Sequence, residues 1–154
     1  MTEPAPAPRT TDQRKRDSLH RLENDVDLWV ATADPTGGTP YLVPLSFLWD
    51  GTSVVIATPA SSPTSRNLQA TGMVRLGVGL TRDVTLIEAT VQVLPAAELT
   101  DELGDAFAER TGFDPRQLDD YLYFRIRPQR IQAWREADEL TGRTLMRHGT
   151  WLTD

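Results

Sequence analysis

A chain of 154 residues is long enough to bury one core without covalent staples and fits a single domain. It contains no cysteine, which excludes disulfides, thiolate metal sites, iron–sulfur clusters and cysteine nucleophiles. A formal charge of -6 argues against a general nucleic-acid binder, and no apolar run reaches bilayer length, so a cytoplasmic protein without membrane contact is expected.

The elements read as follows in chain order. Residues 1–12 alternate proline with small residues (Pro4-Ala5-Pro6-Ala7-Pro8), cannot bury enough surface to order, and are expected to form a disordered tail. From Gln13 to Asn24 a short amphipathic helix is predicted, with Leu19, Leu22 and Val26 recurring at helical spacing. Asp27 to Ala33 reads as the first strand, closed by the turn Asp34-Pro35-Thr36-Gly37-Gly38. Pro40 to Trp49 is the second, Asp50-Gly51 signals a hairpin, and Ser53 to Thr58 is the third. A helix over Pro63 to Ala70 follows. Met73 to Leu80 alternates Val74, Leu76 and Val78 with Arg75, Gly77 and Gly79, giving one buried face and one open to close approach. Asp83 to Leu94 alternates for longer, with Thr85, Ile87, Ala89, Val91 and Val93 on one side. A second amphipathic helix is expected over Ala97 to Arg110, then strands Tyr121 to Arg127 and Arg130 to Arg135 separated by Pro128. Residues 137–154 read as a C-terminal extension of helical turn and irregular chain. The fold class is therefore mainly β with peripheral helices, a small antiparallel barrel; a two-layer sandwich is compatible with the same periodicity.

Chemistry-bearing residues are few. His20 and His148 have no third ligand nearby, so no metal site is expected. No serine sits in a nucleophile elbow, and Glu88 and Asp83 lack a partner at acid–base spacing. Lys15 is the only lysine, so phosphate or carboxylate recognition falls to arginine. The most informative segment is Ser61-Ser62-Pro63-Thr64-Ser65-Arg66-Asn67, directly after the strand Val54-Val55-Ile56-Ala57-Thr58. Serine before proline is a helix-entry signal, and free amides, hydroxyls and a guanidinium there suit a phosphate. An ordinary capped helix accounts for the same residues.

The runs Leu28-Trp29-Val30-Ala31-Thr32-Ala33-Asp34 and Gly38-Thr39-Pro40-Tyr41-Leu42-Val43-Pro44-Leu45-Ser46-Phe47-Leu48-Trp49-Asp50-Gly51 resemble the opening of pyridoxamine 5'-phosphate oxidase-like split barrels. The likeness continues through Ile56-Ala57-Thr58, Ser65-Arg66-Asn67-Leu68, Val74-Arg75-Leu76 and Arg82-Asp83-Val84. It ends with Arg127-Pro128-Gln129-Arg130-Ile131-Gln132-Ala133-Trp134-Arg135. It spans about residues 19–136 and is nearest to the branch of oxidoreductases that use FMN or the deazaflavin F420.

The resemblance implies an antiparallel split β-barrel of FMN-binding type over residues 13–136, forming a homodimer with cofactor sites between subunits. It implies that Val43, Pro44, Leu45 and Ser46 run beside the cofactor ring. Thr58, Ser62, Thr64, Ser65, Arg66 and Asn67 would then hold the ribityl chain and phosphate. Arg75 either points at the ligand or faces solvent, and Trp134 with Arg135 either walls the neighbouring ring or packs. Trp29 and Trp49 are expected to fill the core or an oligomer contact. The chain departs from the family where Ser62-Pro63-Thr64 replaces a Ser-x-Lys segment, removing a point charge from the phosphate site. The implied function is hydride transfer between F420 or FMN and a small organic molecule, with the cofactor rather than a side chain carrying the chemistry. The alternative is a carrier of flavin, F420 or a tetrapyrrole. True pyridoxamine-phosphate oxidation is disfavoured, because Arg125-Ile126-Arg127-Pro128 lacks that enzyme's arginine–histidine pattern.

Overall fold

A computed structural model describes residues 2–4 and 6–153 of the chain. Nine strands and three α-helices follow in the order α1 (Thr11–Asn24), β1 (Asp27–Ala33), β2 (Pro40–Ser46), β3 (Leu48–Trp49), β4 (Val54–Pro59), α2 (Pro63–Thr71), β5 (Met73–Leu80), β6 (Asp83–Val93), α3 (Asp101–Thr111), β7 (Tyr121–Trp134), β8 (Thr144–Arg147) and β9 (Thr150–Trp151). All strands join one antiparallel sheet in the order β2-β1-β5-β6-β7-β4-β3, with β8 also on β7 and β9 on β8. The sheet curls into a half-barrel around its main core, as expected for a split barrel.

The spine is β7. Its first half pairs with β4, from Tyr121↔Pro59 to Ile126↔Val54, while Ile131 and Gln132 in its second half pair with β8. The other edge follows β6 from Phe124 to Trp134. Two strands separated by Pro128 were expected; one continuous strand is found. The reason is a register shift in which Glu88 faces Arg130 and Ala89 faces Pro128, leaving Gln129 as the extra residue. A bulge is where a residue without an N–H fits inside a sheet. The Gln129 carbonyl then accepts from the Gly149 amide at 2.9 Å, tying the β8–β9 turn to the bulge.

The run Val54-Val55-Ile56-Ala57 is buried throughout because β4 has cover on both faces. Val54 and Ile56 join the barrel core with Val30, Leu76, Ile87 and Ile126. Val55 and Ala57 join a second cluster with Leu94, Phe107 and Tyr123 beneath α3. That helix starts later than its periodicity predicts, since Thr100 caps it by accepting from the Leu103 amide at 3.1 Å.

At α1 the buried stripe is Arg14, Ser18 and Leu22 rather than Leu19, Leu22 and Val26. Arg14 donates to the carbonyls of Glu139 (2.8 Å) and Ala133 (3.3 Å), and the Ser18 hydroxyl meets that of Thr85 at 2.9 Å. A polar face of this kind is invisible to hydropathy. The tail expected over 1–12 includes Met1 and Ala5, which lie outside the described residues, and its last part is ordered. Thr10 caps α1, and the Arg9 guanidinium reaches Glu139 at 2.8 Å, Asp17 at 3.0 Å and Asp83 at 3.2 Å. Glu139 is 1% exposed, and the Arg9 hydrogen bonds hold its carboxyl near pKa 2 against the opposing push of burial. Residues 137–154, expected to be a helical turn with irregular chain, carry a short 3-10 turn and the β8–β9 hairpin; Asp154 lies outside the described residues. No helix among the described residues is long and apolar enough to cross a membrane.

Candidate functional site

The start of α2 is built as the sequence predicts. Ser62 is the N-cap, with extended backbone and its hydroxyl accepting from the Ser65 amide at 3.0 Å, and Pro63 opens the first turn. Thr58, near the end of β4, sets its hydroxyl 3.1 Å from that of Ser62. Since each hydroxyl carries one proton and only one is used between them, a donor is left over at the helix mouth. No acidic residue stands in the first turn to compensate the helix dipole.

The remaining polar residues divide sharply. Thr64 and Ser65 are buried, and the Ser65 hydroxyl accepts from the Gln69 side chain at 3.1 Å. Asn67 donates to the Thr32 hydroxyl at 3.1 Å, fastening α2 to β1. Ser65 and Asn67 thus bond within the fold, Asn67 at the edge of the cleft that Arg66 lines. Arg66 does not: its side chain is exposed, and among the described residues its guanidinium has no carboxylate partner within 4.0 Å. It lines a cleft of about 530 Å³ between α2 and the β1–β2 hairpin, shared with Asp34, Pro40 and Tyr41. Asp34 is occupied with its own turn, accepting from the Thr36 amide at 3.0 Å.

Strand β2 stands at one end of the sheet order. The amides of Asp34 and Phe47 donate to Thr39 and Val26, residues that stand directly opposite them in the continued β1–β2 register. Hydrogen-bonded pairs alternate in an antiparallel ladder, so Tyr41, Val43 and Leu45 turn their backbone groups toward β1. Pro40, Leu42, Pro44 and Ser46 turn theirs outward. Prolines at two of these four positions blunt the edge, leaving the Leu42 and Ser46 amides as its donors. Of the expected stretch Val43 to Ser46, therefore, only the Pro44 carbonyl and the Ser46 amide and carbonyl face away from the sheet. The Ser46 hydroxyl is held by Asp27 at 2.6 Å.

Register also gathers an outer face. Pro44, Trp29, Gly77, Leu86 and Gln132 stand in one row across five strands; Leu42, Ala31, Arg75, Glu88 and Arg130 stand in the next. Trp29 is 51% and Leu42 59% exposed, so Trp29 is not core; Trp49 is half-buried against the barrel core. A Cβ at Gly77 would meet Leu86 Cδ2 at 3.6 Å and Trp29 Cβ at 3.8 Å, ordinary contacts, so packing within the chain does not demand glycine there. Gly79 is different: its φ of +90° favours glycine, and a Cβ would lie 2.3 Å from Arg21 Nη1. Arg75 lies on this outer face in an ion pair with Glu88, its cross-strand neighbour. Trp134 lies at the end of β7 with the Arg143 guanidinium 5.9 Å from its ring, and the Arg135 amide donates to Glu139 at 2.8 Å. The outer apolar row was missed by sequence reading; its signal was the odd-numbered, outward phase of β1.

The family model described as pyridoxamine 5'-phosphate oxidase matches residues 21–135. No curated protein matches the sequence. Among solved structures, an F420 reductase is similar at TM-score 0.59 and 22% identity, over 73% of this chain and 93% of that one. An FAD-binding protein from Mesorhizobium loti is similar at TM-score 0.62 and 16% identity, over 75% of this chain and 90% of that one. HutZ, a heme storage protein from Vibrio cholerae, is similar at TM-score 0.62 and 16% identity, over 77% and 93%. At these identities the likeness is one of fold.

Proposed function

For a chain that belongs to the pyridoxamine 5'-phosphate oxidase family, matched over residues 21–135, we propose a flavin- or deazaflavin-dependent oxidoreductase that works as a homodimer on a small organic molecule. The observation that carries this reading is the contrast within α2: Ser65 and Asn67 bond within the fold and Thr64 is buried, whereas Arg66 projects from the helix into the cleft without a carboxylate partner among the described residues. The donor set fits a phosphate. A guanidinium, a spare hydroxyl proton from the Thr58–Ser62 pair and an uncompensated helix start all favour an anion. Arg66 takes the role left open by the missing Ser-x-Lys lysine.

Ser46 and Pro44 offer an outward donor and acceptors along β2 for the edge of a ring. When bound, FMN or F420 supplies the two-electron chemistry, passing hydride to or from the substrate. The work of the chain is to bind, orient and exclude water. Trp29, Leu42 and Leu86 serve the last of these by burying their exposed surface against a second copy in an isologous contact. Trp134 of each copy would then wall the neighbouring site.

A carrier reading has one observation in its favour. The carboxylates bordering these clefts are engaged, Glu88 by Arg75 and Asp34 by the Thr36 amide, which leaves no unengaged carboxyl there among the described residues. Titration of the full chain with FMN and F420 side by side tests the shared premise, with saturable micromolar binding of one expected. Steady oxidation of the reduced cofactor with an added acceptor supports the enzyme; tight retention without turnover supports the carrier. Failure to bind either cofactor overturns both.

A further inference from the structure

A second cleft, of about 420 Å³, lies where β7 meets the C-terminal hairpin and the start of α1. Three arginines line it, Arg130, Arg143 and Arg147, and among the described residues every charged lining residue is an arginine. That is a marked local excess in a chain of charge -6. Arg130 shares Glu88 at 3.7 Å, with Arg75 also on that carboxylate. Among the described residues Arg143 and Arg147 have no carboxylate within 4.0 Å. Arg143 is nonetheless held in place: it donates to the Leu140 carbonyl at 3.0 Å and lies beside the Trp134 ring. A guanidinium held in this way matches a planar oxyanion with two parallel donors. Leu140 and Leu152, both substantially exposed, supply apolar walls beside the cations.

We infer that this cleft binds a small organic anion with a doubly charged oxyanion head and an apolar body. Two guanidinia without a carboxylate within 4.0 Å among the described residues set the charge of the head, and the two leucines set the character of the body. A phosphate monoester and a dicarboxylate share that chemistry. The inference uses none of the α2 residues; it shares with the cofactor reading only Trp134, beside whose ring Arg143 lies, and Arg130 at the end of the outer row.

Isothermal titration of the full chain with phenyl phosphate, phthalate and benzoate tests it. At least one of the two dianions is expected to bind saturably, about tenfold tighter than benzoate. Whichever dianion is tighter identifies phosphate or dicarboxylate as the head. Arg143→Gln and Arg147→Gln are each expected to weaken binding by about tenfold, a loss suited to one charged hydrogen-bonding partner. Arg127→Gln, outside the cleft, is expected to leave it unchanged. Equal affinity for benzoate, no saturable binding, or retention in both cleft variants overturns the inference. Loss in Arg66→Gln with retention in the cleft variants assigns the anion to α2 and overturns it too.

Discussion

Two regions of this molecule use the same residue types to opposite ends. At the clasp between the N- and C-terminal segments, Arg9 is surrounded by Glu139, Asp17 and Asp83, and Arg14 by carbonyl oxygens. The outer face of β1, β2 and β6, by contrast, leaves Trp29, Leu42 and Leu86 bare, and Arg66 has no carboxylate within 4.0 Å among the described residues. The clasp is closed upon itself and so contributes stability. The outer face leaves apolar side chains exposed, and exposed apolar surface is what a ligand or partner could cover.

The comparison breaks first at the clasp. Glu139→Ala removes Arg9's main partner but leaves Asp17 at 3.0 Å and Asp83 at 3.2 Å, so a loss of about 3 kcal/mol, the low end for a broken buried pair, is expected in urea unfolding of the variant. Acid tests the same bond next. The folded pKa of Glu139 near 2 lies below its ordinary 4.5, so its stabilisation is complete above about pH 4.5 and is lost as pH falls toward 2. A loss of about 3 kcal/mol over that window is expected for the native chain, with a much flatter response in Glu139→Gln.

The outer face breaks differently. Leu42→Glu is expected to weaken self-association by about 2 kcal/mol or more, read as dimer converting to monomer in sedimentation, while the unfolding midpoint of the monomer stays near native. Arg66→Ala is expected to weaken FMN or F420 binding by about 1.5 to 3 kcal/mol in direct titration, with folding stability unchanged. Arg75→Ala is expected to do least. Its exposed pair with Glu88 is worth under about 1 kcal/mol, and unfolding curves of the variant should overlay the native ones.

Legibility followed the kind of signal each segment carries. β1, β5 and the start of α2 stood at their expected residues because alternation and capping are local. Pro128 misled because a bulge, which depends on the partner strand, removes the need for its N–H. The candidate site was half legible: Ser62, Pro63 and Arg66 announced a capped helix start with a cation in its first turn. That Ser65 and Asn67 bond within the fold required the positions of Gln69 and Thr32.

By itself the sequence determined the mainly β class, the strand phases, the capped helix after β4 and the family, since all of these are written in spacing along the chain. Tertiary structure alone decided which arginines are saturated and which are free, and which apolar residues remain outside. Saturation depends on what lies across the sheet: Glu139 stands 130 positions from Arg9, and no local pattern relates them.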